Sequence, residues 1–135
     1  MTRTEIIQEM MKKRNCAMIV LGEFADQLGF DREETDPLTL CFGGGMMNGH
    51  VCGAVSAAYM VIGAHFGEVE KAEAVCDEFN KRFIEKHGSI LCRELLGVDF
   101  SDREARDAAF EKGLTIEKCP DFMSSAIDIL EELLE

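Results

Sequence analysis

Six cysteines are spread through this chain, none adjacent to another and none in a C-x-x-C pair. Cys52, Cys92 and Cys119 each fall where the pattern predicts a helix to begin. A helix start carries unsatisfied N–H groups and about half a positive charge, which favours a thiolate over a thiol. Thiolate is the form that attacks disulfides and binds metals. The residue types therefore point to thiol redox chemistry or metal ligation.

The most specific local feature is the stretch Gly43 to Ala58. Gly43-Gly44-Gly45 breaks the preceding helix, and the loop to Gly49 has backbone N–H groups free to face one point. Cys52 follows in the first turn of the next helix. Gly49, Gly53 and Ala57 recur every four residues, so that face is nearly bare. Another helix, a second subunit or a cofactor must approach it closely, which makes Gly49 and Gly53 candidate cofactor contacts. No Gly-Lys-Ser/Thr follows, so this is not a phosphate loop.

The remaining candidates read more blandly. Cys16 lies mid-helix, two residues after Arg14, and by itself reads as a buried core thiol; Cys41 and Cys76 invite the same reading. Cys119 precedes Pro120, and an N-cap cysteine has no packing rationale. His50, two residues before Cys52, is placed to ligate metal or tune a thiolate, or else is a partly exposed polar group. His87 closes a helix, where the dipole accounts for it. No H-E-x-x-H is present, and no base, nucleophile and orienting group stand in combination.

These residues need elements to position them. Hydrophobic residues make up 47% of the chain and Pro occurs only twice. Steps of three and four dominate the apolar pattern, and no alternation suggests a strand. The expectation is one all-α domain over residues 1–135, a bundle of about five main helices with short ones between. Helices are expected over about 4–28, 38–42, 50–66, 68–87, 90–96, 102–111 and 120–134. Cys16 then lies mid-helix, and Ser101 with Glu104 has capping-box spacing.

The net charge of −12 argues against phosphate backbones and anionic membrane surfaces as partners. The uncharged run Pro37 to Gly67 is interrupted by glycines, and its continuous apolar part is shorter than the roughly 20 residues of a span. With no secretory signal in view, the expected compartment is the cytoplasm, where thiols stay free, metal-bound or transiently oxidised.

The order Asn15-Cys16-Ala17, Cys52-Gly53-Ala54, Cys92-Arg93-Glu94-Leu95-Leu96-Gly97 and Cys119 resembles the C_GCAxxG_C_C family of small redox-active bacterial proteins. The likeness runs through nearly the whole chain. It implies that Cys16, Cys52, Cys92 and Cys119 form the functional set, with Cys41 and Cys76 as extras. It also implies a redox partner protein and a bound group such as an iron–sulfur cluster. Ala57 departs from the pattern, standing where a final Gly is usual.

If bundle topology brings the four together, two redox mechanisms are open. They could hold an iron–sulfur cluster, or Cys52 could act as a low-pKa attacker in a dithiol/disulfide cycle with Cys92 as the other redox candidate. Zinc in the same set would be structural. The alternative is a non-catalytic helical interaction protein, a homodimer through its Gly/Ala-rich helix.

Overall fold

The computed structural model describes all 135 residues as an all-α fold: α1 (Arg3–Met10), α2 (Cys16–Leu28), α3 (Arg32–Leu38), α4 (Gly53–Phe66), α5 (Val69–His87), α6 (Cys92–Leu96), α7 (Arg103–Glu111) and α8 (Leu114–Leu133). The expected helix class holds, and the ends differ instructively. The expected first helix is two helices. Lys12-Lys13-Arg14-Asn15 puts four polar residues across its apolar stripe. The chain turns there, and Asn15 becomes the N-cap of α2, its side chain accepting the Met18 N–H at 2.9 Å. Cys16 is therefore a helix-initiating residue, not a mid-helix one.

The last helix errs in the other direction. It starts at Leu114, after Gly113 at φ 75°, and runs through Cys119 and Pro120. Proline lacks the N–H that would bond the Ile116 carbonyl four residues back. Gln8 of α1 supplies the missing donor, its Nε2 lying 3.1 Å from Ile116 O. Arg3 of α1 also pairs with Asp128 of α8 at 2.6 Å. Near residue 102, Asp102 caps α7 through the Glu104 N–H, while Ser101 bonds Asp99.

α4 lies at the centre. It carries no Asp, Glu, Lys or Arg, and Gly53 to Ala58, Val61 and Ile62 are buried. α2, α5 and α8 pack around it. α2 contributes a nearly unbroken buried run from Ala17 to Gly22. α5 is amphipathic, with Phe79 and Phe83 fully inside and its other face charged. No helix is long and apolar enough to cross a membrane.

One contact is not helical. Val51 and Leu91 form an isolated antiparallel bridge. Its two bonds run from Cys52 N–H to Ile90 O at 2.8 Å and from Cys92 N–H to His50 O at 2.7 Å. The starts of α4 and α6 are thereby locked side by side.

His87 sits between the rings of Phe83 and Phe122, 4.8 and 5.0 Å away, with Nε2 2.8 Å from Ser125 Oγ. Burial, aided by Lys86, lowers its pKa below the ordinary imidazole value. The folded state thus favours neutral His87. Its contribution is complete above about pH 6.5 and is lost as pH falls toward and through the lowered value. Thermal unfolding at pH 7.5 and 5.5 should show a loss on acidification that is smaller in His87→Phe than in the parent chain.

Candidate functional site

Cys16, Cys52, Cys92 and Cys119 line one cavity of about 500 Å³. Four separate elements deliver them. Cys16 opens α2, Cys52 is the N-cap residue of α4, and Cys92 opens α6. Cys119 projects from the second turn of α8, not from its start. Cys52 and Cys92 are 5% and 6% exposed, whereas Cys16 and Cys119 are half-buried. Cys41 is exposed on the turn after α3, and Cys76 packs on the outer side of the core. Neither lines the cavity.

Cys16 and Cys52 form the intimate pair. The Cys52 thiol faces the Cys16 sulfur within hydrogen-bonding reach. Backbone N–H groups of Cys16 and Ala17, at the start of α2, and of Ala54, at the start of α4, also point to that sulfur. Two helix N-termini thus converge on one atom. The negative charge belongs on Cys16, and its pKa is lowered, first by the Cys52 hydrogen bond. Cys52 moves well upward because it donates that bond and is desolvated. This reverses the expectation that Cys52 carries the lowered pKa: Cys52 is the donor of the pair, and Cys16 has the additional donors. Burial pushes Cys92 up to about 12 and raises Cys119 as well, so both are thiols at neutral pH.

Gly53 makes the pair possible. A Cβ built on it would stand 2.6 Å from Cys16 Sγ and 2.9 Å from Phe42 O. The bare helix face expected to admit a helix, a subunit or a cofactor admits the start of α2 and its sulfur. The space beside Gly49 is filled by Arg93 Cβ at 3.0 Å and Phe100 Cβ at 3.4 Å.

The glycine-rich segment braces Cys92. Gly44, Gly45, Met46 and Met47 are successive left-handed residues with φ between 58° and 61°. This turn is closed by His50 N–H to Gly45 O at 2.9 Å and held by Arg106 Nη1 on Met47 O at 2.9 Å. Gly45 is required twice over. Its φ is positive, and a Cβ would meet His50 O at 2.5 Å and Cys92 Cβ at 2.8 Å. Non-glycine residues in this conformation cost about 1–2 kcal/mol each. His50 turns its ring to Asn48, Nε2 to Nδ2 3.0 Å, rather than to a cysteine.

Several site residues escaped the sequence reading. Asn15 anchors the start of α2, donating to Thr39 O at 2.9 Å and Leu40 O at 3.1 Å. Phe100 and Phe110, 5.9 Å apart, wall the cavity with Met11, Leu95, Ile116 and Phe122. The only signal for Asn15 was its place after three charged residues; the aromatic wall left none.

The donor set also bears on a metal or cluster. No three His, Cys, Asp or Glu side chains stand together in positions that would hold a metal ion. The four sulfurs share a cavity without three of them standing together as a ligand set.

Two substitutions test this geometry. Gly53→Ala should lower stability by about 1–3 kcal/mol, the usual effect of overpacking. It should also move the midpoint of Cys16 alkylation to higher pH, followed by peptide mapping across a pH series. Met47→Gly removes a strained left-handed side chain that is 51% exposed. It should raise stability by a net of about 0.5 kcal/mol, read by denaturant unfolding.

No curated protein and no solved structure matches this chain. A family model, described as "Putative redox-active protein (C_GCAxxG_C_C)", matches residues 14–133. That span begins two residues before the first cavity cysteine and includes the other three, so the chain belongs to the redox-active C_GCAxxG_C_C family.

Proposed function

We propose that this protein carries out two-electron thiol–disulfide chemistry through Cys16 and Cys52. One observation carries the reading: the Cys16 sulfur, at the start of α2, sits against Gly53 at the start of α4, beside Cys52 in one cavity. A thiolate stabilised in this way is the attacking form, and a second thiol in contact with it is the resolving group.

The chemistry balances with a disulfide as oxidant. The Cys16 thiolate attacks one sulfur, forming a mixed disulfide and releasing a thiolate that takes the Cys52 proton. The Cys52 thiolate then attacks Cys16 Sγ, closing the Cys16–Cys52 disulfide and expelling the second thiolate. Two electrons pass from the cysteine pair to the substrate. A reductant of dithiol character, such as a redox partner protein, returns the pair to its starting state. Cys92 and Cys119 remain thiols throughout, and no step is routed through a cluster or zinc.

The test is peptide mapping of the intact chain after mild oxidation. Cys16–Cys52 should be the first disulfide formed. Cys16→Ser should slow the reaction with a disulfide reagent at pH 7 by at least about tenfold, in line with loss of the principal thiolate. Cys52→Ser should instead trap the mixed disulfide on Cys16. Cys76→Ser should leave rate and product unchanged. Six thiols reacting at similar rates, with no preferred pair, would favour a scaffold role.

A further inference from the structure

We propose that the oxidant this site accepts is a small neutral disulfide with an apolar body, bound inside the cavity, rather than a protein disulfide or a charged peptide disulfide. The inference rests on the dithiol reading above and adds its substrate class.

Access argues first. The Cys16 sulfur is half-buried and faces the cavity. Its partner Cys52 is almost wholly covered. In-line attack on a disulfide requires the target sulfur to come within contact of Cys16. A free small disulfide can enter the cavity and present either sulfur to Cys16, whereas a disulfide embedded in a folded protein surface is held in one orientation outside it. The volume of about 500 Å³ lies in the range of small-ligand sites, about 300–1,000 Å³.

Wall chemistry argues second. Beyond the cysteines, the lining is mainly apolar, with Phe100, Phe110, Phe122, Leu95 and Ile116 prominent. The polar residues at the other side are largely committed. Arg14 bonds Asp36 at 3.1 Å, and Asn15 bonds two backbone carbonyls. No carboxylate lines the cavity, and Lys13 is its one cation outside an ion pair. Such a wall gains by covering apolar surface; Lys13 and Arg14 are its only cationic partners for a carboxylate, and it holds no anionic partner for the ammonium groups of a charged peptide disulfide.

The experiment presents the reduced full-length chain with three oxidants: dibutyl disulfide, bis(2-hydroxyethyl) disulfide and glutathione disulfide. Each rate of Cys16–Cys52 disulfide formation is divided by the thiol oxidation rate of the denatured chain with the same reagent. This removes differences in leaving-group reactivity. The corrected rate for dibutyl disulfide should exceed that for glutathione disulfide by at least tenfold and should saturate with concentration. Dibutyl sulfide, which cannot react, should inhibit competitively. Ile116→Trp, which fills the cavity, should reduce the preference. Equal corrected rates without inhibition by the thioether, but with Cys16–Cys52 still formed, would overturn the substrate class and leave the dithiol reading standing. Absence of a Cys16–Cys52 disulfide with all three reagents and with diamide would overturn both.

Discussion

The site depends on a close approach of two helix starts. α2 and α4 must meet so tightly that the sulfur of the first residue of one occupies the place a side chain would take on the first residue of the other. Only glycine at position 53 permits this. Once it is permitted, electrostatics follow from geometry. The orphan N–H groups that every helix start carries are directed at one sulfur atom, and a neighbouring thiol supplies a further donor. Charge separation in a largely apolar interior is normally costly; here the backbone supplies the compensation, without a lysine, arginine or histidine at the sulfur.

Around that contact, the rest of the fold sets distances. The Val51–Leu91 bridge fixes Cys92 relative to Cys52, and the left-handed turn fills the volume behind it. Asn15 fastens the start of α2 to the carbonyls after α3. The strain in Met46 and Met47 is confined to a turn anchored by Arg106 and by its own closing hydrogen bond. Strained backbone persists where its surroundings over-determine it.

Helical character was legible because each long segment states its period locally. α5 shows its buried stripe from Val75 and Phe79 to Phe83, and α4 is apolar on every side. The four cysteines were named through resemblance; that they line one cavity is a product of the fold. The break at Lys12 to Asn15 was visible as polarity but outweighed by the apolar residues on either side. Pro120 misled because a proline inside a helix normally marks an end; the donor that repairs the gap sits more than a hundred residues away in sequence. A one-residue bridge leaves no alternation to read, so the device that pairs Cys52 with Cys92 had no local signature. Which of two sulfurs has the lowered pKa depends on N–H directions from separate helices, and that is a property of assembly alone.

The repair of the Pro120 gap reaches further than backbone accounting. The family match begins at residue 14, so α1 lies outside it, yet α1 splints the very turn of α8 that presents Ile116 and Cys119. The amino-terminal helix thus braces one wall of the cavity from outside the matched span. Substitutions along α1 would therefore reach the cavity through its wall while leaving every sulfur in place.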